Sequence, residues 1–235
     1  MKLCKKSKPY LLLAIFLLSP MSLPADIIAI IGTGQVAGAL GPEFSVLGHT
    51  IIYGSREPTR ADVKSLVNRT GNGASATTPA DAVSTASIVV MAVPGLMVEQ
   101  ITKSLGDLGG KIIIDPTNPL IETEDGLLGL DTPSSNSEVI QSAAPDAMVV
   151  KAFNTLNWST MVDPAKSGGP VSIPLAGNNA EAKEKVAELV TGMGLEPIDV
   201  GPLKHARYVE GMLVLWINNQ YKSNKPFDFY LRKQL

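Results

Sequence analysis

The sequence predicts a doubly wound α/β domain, with a mostly parallel sheet covered by helices on both faces. Three observations predict it. Near-continuous apolar runs such as "DIIAIIG", "SIVVMAVP" and "KIIIDPTNP" read as strands buried on both faces. Segments with apolar residues at helical spacing separate them, and such alternation implies a parallel sheet. A glycine-rich turn, "GTGQVA", joins the first strand to the first helix.

The elements follow in order. After "DIIAIIG", the stretch "QVAGALGPEFSVLG" is helical and stops at Gly48, with Pro42 expected to kink it. "HTIIYGS" is a second strand, and "PTRADVKSLVNRTG" a second helix with Thr59 placed to cap its start. "GASATT" and "PADAVSTA" are a short strand and a short helix before the firm strand "SIVVMAVP". "GLMVEQITKSLGDLGG" is helical, and "KIIIDPTNP" is a strand running into a turn. "NSEVIQSAAP" is a helix and "AMVVKAFN" a strand. "VSIPLAGN" and "EPIDVG" are further strands around the helix "NAEAKEKVAELVTGMG". "TEDGLLGLDTPSSNS" is the longest irregular region and reads as a surface loop. A helix, "LKHARYVEGMLVLWINNQY", and a polar and aromatic tail close the chain.

Composition bounds the rest. A chain of 235 residues supports one domain with a sizeable core and a small appendage. Residues 26–202 form the nucleotide-binding body in this reading, and residues 203–235 a helical extension packed on it. The pI of about 5.7 gives no basic surplus to neutralise phosphates, so nucleic acid is not expected as a partner. The single cysteine, Cys4, precedes the body, which excludes disulfides, cysteine nucleophiles and thiolate metal sites from it.

Residues 1–25 have the order of a signal peptide: basic "MKLCKKSKPY", apolar "LLLAIFLL", then "SPMSLPA" with cleavage expected after Ala25. An exported or periplasmic protein follows from that pattern. An uncleaved segment makes residues 1–25 a membrane anchor, and a start at Met21 makes the protein cytoplasmic. Without the segment, 16 basic residues face 22 acidic ones, a net charge of −6.

"GTGQVA" fits the G-x-G-x-x-G/A turn of Rossmann-type dinucleotide sites. Gly32 permits the tight turn, Gly34 admits a pyrophosphate, and Ala37 lets helix and strand pack closely. The helix N-terminus then presents free N–H groups and a positive dipole end to the phosphates. About 20 residues further on, an NAD site offers a carboxylate to the ribose 2′-hydroxyl. Here the second strand ends in Gly54, Ser55 and Arg56. A hydroxyl and a guanidinium fork suit a 2′-phosphate, and Arg60 adds a second positive charge nearby. The site is therefore read as one for NADP(H).

The order of "IIGTGQVAGAL", "YGSREP", "MAVPG", "IDPTNP", "VVKAFNTL" and "GPLKHARYVE" resembles that in NADP-dependent reductases of the deazaflavin coenzyme F420. These share a Rossmann domain with pyrroline-5-carboxylate reductases. The same stretch, from Ile27 to about Gly211, is similar to the NADPH domain of the six-transmembrane epithelial antigen metalloreductases. The resemblance implies that Thr33, Gln35 and Val36 line the pyrophosphate turn, with Ser55, Arg56 and Arg60 on the 2′-phosphate. It places Val93 and Pro94 along the cofactor ribose. It brings Asn118, Pro119, Ala152, Phe153 and Asn154 towards the nicotinamide. It also implies a homodimer, for which the apolar surface of the terminal helix is suited.

No metal site or Ser-His-Asp set is legible. His49 reads as structural, His205 as part of a solvated face beside Lys204 and Arg207, and Lys151 as an anion contact or an ordinary strand-end lysine. About 35 residues after the last strand cannot build the large helical domain of hydroxyacid dehydrogenases and imine reductases. Hydride transfer to a flat ring needs proximity and exclusion of water rather than an acid–base set. The expected activity is thus transfer of hydride between NADPH and a small-molecule redox acceptor, a deazaflavin or flavin. Reduction of ferric or cupric ions through flavin, and an NADPH-binding sensor without turnover, are the alternatives.

Overall fold

The computed structural model describes residues 25–131 and 133–234. The leader reading for residues 1–25 lies outside them, apart from Ala25. The first half of the chain forms β1 (Ile27–Ile31), α1 (Gln35–Val46), β2 (Thr50–Gly54), α2 (Ala61–Thr70), β3 (Ser75–Thr77), α3 (Pro79–Thr85) and β4 (Ile88–Met91). There follow α4 (Val98–Ser104), β5 (Ile112–Asp115), β6 (Leu120–Glu122), β7 (Leu128–Leu130), α5 (Asn136–Ala143) and β8 (Met148–Lys151). The last elements are α6 (Trp158–Val162), β9 (Ser172–Gly177), α7 (Ala180–Gly192), β10 (Glu196–Asp199) and α8 (Ala206–Lys222).

Eight strands make one sheet in the order β3-β2-β1-β4-β5-β8-β9-β10. From β3 to β8 every pairing is parallel, which is the doubly wound arrangement expected. The edge departs from it: β9 runs antiparallel to β8, with Val150 opposite Gly177, and β10 is parallel to β9. The connection from β8 to β9 contains only the five-residue α6 and a short 3-10 turn. No crossover carries the chain back across the sheet there, so β9 has to run in reverse.

Successive strand residues point to opposite faces, and both sets are apolar. Ile28, Ile30, Val90, Ile114 and Val150 pack with Leu40, Phe44 and Val186 on one face. Ala29, Ile31, Val89, Ile113 and Val149 pack with Val83, Val98 and Ile140 on the other. Two buried layers explain why the strands read as unbroken apolar runs.

Four local features depart from the expectations or add to them. First, α1 is one helix that includes Pro42. Proline deprives the Gly38 carbonyl of its helical donor, and the Arg69 guanidinium of α2 donates to it instead at 3.4 Å. Second, α2 begins after Arg60, and no side chain caps it, so Thr59 has no capping role. Third, the presumed loop "TEDGLLGLDTPSSNS" contributes β7 to an antiparallel hairpin with β6. Asn218 of α8 holds that hairpin, accepting from the Leu128 N–H at 2.7 Å and donating to its carbonyl at 2.8 Å. Fourth, His205 is no solvated-face residue, since its Nδ1 lies 2.6 Å from the Val200 carbonyl, while Arg207 pairs with Glu138 at 2.8 Å. A carbonyl only accepts, so Nδ1 carries the proton.

His49 is structural, as expected. It is buried, its Nδ1 accepts from the Asp26 N–H at 3.1 Å, and burial holds its pKa below the ordinary value. The tail returns to the sheet: the Leu231 carbonyl accepts from the Ser172 N–H at 2.9 Å, and Arg232 donates to the carbonyls of Ser167 and Pro170. Among the described residues, no helix is long and apolar enough to cross a membrane.

Replacing Asn218 by Ala removes both hydrogen bonds to Leu128. The expected cost is about 1–2 kcal/mol, with faster limited proteolysis between residues 120 and 130 than elsewhere, measured by mass spectrometry of the fragments.

Candidate nucleotide site

An open cleft of about 700 Å³ lies at the carboxyl ends of β1, β2, β4 and β5. Such a crevice, where the strand order turns, is where open α/β sheets bind ligands. Here β1 sits between β2 and β4, so consecutive crossovers depart to opposite sides.

Its floor is the turn from β1 into α1. Gly32 has φ +108°, and a Cβ there would run into the Ala92 carbonyl oxygen, so only glycine fits. The Gly32 N–H donates to the Gly54 carbonyl at 2.9 Å, which ties the turn to the end of β2. Nothing stands within 4 Å of where a Cβ on Gly34 would lie, leaving that approach open to a ligand. Gly34 caps α1 without any side-chain hydrogen bond, so the first N–H groups of a twelve-residue helix have no capping acceptor.

Beyond β2, Ser55 is buried and donates its N–H to the Thr77 carbonyl at 2.9 Å. Its hydroxyl oxygen accepts from the Glu57 N–H at 3.2 Å, which leaves the hydroxyl proton for a ligand. Arg56 is exposed on the rim and has no hydrogen bond or ion pair among the described residues. Arg60 differs. Asp62 grips its guanidinium at two points, 2.6 and 2.9 Å, and that hydrogen bonding holds the Asp62 carboxyl below its ordinary pKa. The same guanidinium reaches Thr33 Oγ1 at 3.5 Å, so it bridges the start of α2 and the glycine turn.

The structure therefore gathers Gly32, Thr33, Gly34, Gln35, Val36, Ser55, Arg56, Arg60, Val93 and Pro94 around one cleft. Asn118, Ala152 and Asn154 are not among its walls. Ala152 is fully buried, and Asn154 donates to Asn118 Oδ1 at 2.9 Å and to the Val209 carbonyl at 3.2 Å. Asn154 Oδ1 is buried without a partner among the described residues, an acceptor three residues beyond β8. Phe153 is fully buried with φ +63°, edge-on to Phe44 at 6.2 Å, a strained residue of the core. Met91, Met97, Gln100, Ile101, Ser104 and Thr117 also line the cleft, as does the carboxylate residue Glu57 beside Arg56. Their only sequence signal is a place at or just beyond a strand end, or at the start of or on the helix that follows.

Lys151 is a larger correction. It ends β8 as read, yet it is neither exposed nor open to a ligand anion: it is fully buried with Asp115 Oδ2 and Glu210 Oε1, each at 2.7 Å. It also donates to the Thr117 carbonyl at 2.6 Å. Two carboxylates against one ammonium leave a formal excess of one negative charge out of water. Burial accordingly raises Glu210 from 4.5 to about 7, against the pull of Lys151. Of the other charged groups near α8, Glu138 is taken by Arg207 and Lys204 is exposed. Among the described residues, no group of three or more His, Cys, Asp or Glu could hold a metal ion.

Residues 27–119, the glycine turn, Ser55–Arg56 and the β4 and β5 turns, match a family described as NADP oxidoreductase, coenzyme F420-dependent. A solved structure of an Arthrobacter sp. FB24 protein, described as an F420-dependent NADP reductase, covers 89% of this chain and 100% of its own at 31% identity, with a TM-score of 0.80. The chain belongs to this family. Within the family, the F420-dependent NADP reductase of Methanothermobacter thermautotrophicus is 29% identical over 81% of this chain and 88% of its own. Metalloreductase STEAP3 of Rattus norvegicus is 31% identical over 79% of this chain but only 36% of its own, so this chain spans about a third of that relative.

Two outcomes follow from the buried cluster. Lys151→Met strands two carboxylates and is expected to cost about 3–5 kcal/mol in chemical denaturation. Glu210 keeps its proton in the fold where the unfolded chain has lost it. Its stabilisation is full below about pH 4.5 and is lost as pH rises through about 7. Melts of wild type and Glu210→Gln across that window should show the wild type losing ground as pH rises. Parallel curves would refute the assignment.

Proposed function

We propose that the cleft binds NADPH, and that the protein passes hydride from it to a deazaflavin or flavin-like acceptor. The observation that carries the reading is Ser55–Arg56 at the end of β2, a free hydroxyl proton and an uncommitted guanidinium where a carboxylate would select NAD. Arg60 contributes less than its charge suggests, because Asp62 already occupies two of its donors.

The residues present fit the cofactor. The open space at Gly34 and the free N–H groups of α1 would take the pyrophosphate, and Val93 and Pro94 the ribose side. Nicotinamide, when bound, supplies the hydride. The chain's part is to fix the ring's position and keep water from its reactive face with Met91, Met97 and Ile101. The family's description and the F420-dependent relatives support a deazaflavin as acceptor. The metalloreductase similarity supports a second reading, electron delivery through flavin to ferric or cupric ions.

Arg56→Glu is expected to abolish the preference for NADPH over NADH in fluorescence titrations. Unchanged relative affinities would remove the 2′-phosphate assignment. Spectrophotometric NADPH oxidation by residues 26–235 is expected with coenzyme F420, and flavin with ferric chelate is the comparison that decides between the two readings. Tight binding with no turnover would instead identify a sensor module.

A further inference from the structure

Behind the cleft, parts of the chain distant in sequence meet at Glu210. Its Oε1 accepts from the Asn136 N–H at 2.9 Å and pairs with Lys151 at 2.7 Å. Both partners reach forward. The Asn136 side-chain amide donates to the Gly95 carbonyl at 3.0 Å and to Thr117 Oγ1 at 2.8 Å. Lys151 donates to the Thr117 carbonyl, and Asp115 Oδ1 accepts from the Thr117 N–H and hydroxyl at 2.8 and 2.6 Å. Every polar atom of Thr117 is thus held from behind.

Thr117 and Pro94, the neighbour of Gly95, both line the cleft. The two turns also touch each other, since a Cβ on Gly95 would run into the Asn118 carbonyl oxygen. One buried carboxylate on α8 therefore ties the turn after β4 to the turn after β5, through one amide and one ammonium. Its other oxygen, Oε2, is buried and makes no hydrogen bond among the described residues. Oε1 therefore carries both ties.

We propose that Glu210 is a positioning residue for the nucleotide cleft, setting the spacing of its 93–95 and 116–118 turns by holding Asn136 and Lys151. What the cleft binds rests on the NADPH reading above, whereas the spacing claim rests on the contacts alone. Two readouts separate them. The first is hydrogen exchange in the unliganded protein, followed by mass spectrometry. Glu210→Ala should speed exchange in peptides covering 93–97 and 116–120, with residues 63–70 of α2 unaffected. The second is NADPH affinity, expected to weaken by about tenfold or more in Glu210→Ala. Glu210→Gln, which keeps an acceptor for both donors, should recover most of that loss. Unchanged exchange in the two turns, or an even rise throughout the molecule, would overturn the proposal. If Glu210→Ala does not fold, Glu210→Asp, which keeps the carboxylate but withdraws its oxygen from Asn136 and Lys151, is read in the same way: faster exchange confined to the two turns supports the proposal, and unchanged or uniformly faster exchange overturns it. A wild type that fails to bind NADPH would sink the nucleotide reading and leave the exchange result to judge Glu210.

Discussion

A single ammonium group with no access to water governs the carboxyl end of this sheet. Lys151 spends all three of its protons on Asp115, Glu210 and the Thr117 carbonyl. Its partners belong to β5, to α8 and to the turn leaving β5, and none of these could shift without uncovering a charge. A buried ion pair is weak evidence for stability, because well-packed apolar residues often do as well. What the ammonium supplies here is directional: it fixes where a strand end, a turn and a helix stand relative to one another. Apolar packing alone would tolerate small slips among them.

The proposed nucleotide preference is built differently, from groups left unsatisfied. Arg56 is uncommitted, the Ser55 hydroxyl has a proton to give, and the N-terminus of α1 lacks a side-chain cap. Arg60, four residues on at the entrance to α2, is the contrast, since its fork is already closed on Asp62. The two arginines look alike in a sequence, yet only the first is free to meet a phosphate without first breaking a bond.

Much of this was legible in the residues, and the reasons are local. The glycine turn, Ser55–Arg56 and the paired buried layers depend on neighbours a few positions apart, so spacing reveals them. The reversal of β9 was not legible, because apolar periodicity is the same in either direction. β6 and β7 are three residues each, too short to show alternation. The donor that takes up the Gly38 carbonyl freed by Pro42 is Arg69, in another helix. Lys151 was misread for the same reason: its partners are far off in sequence, and a lysine at a strand end carries no local mark of burial.

Asp26 gives the sheet geometry a further meaning. Its N–H is held by His49, its carboxylate by Lys185 at 2.9 Å, and its carbonyl accepts from Thr50 at 2.9 Å. The chain is thereby moored at the amino end of β1, while the cleft opens at the carboxyl ends of β1, β2, β4 and β5. The described chain therefore enters the sheet at one pole and opens its cleft at the other, so the proposed nucleotide would bind at the end of the sheet opposite the mooring at Asp26.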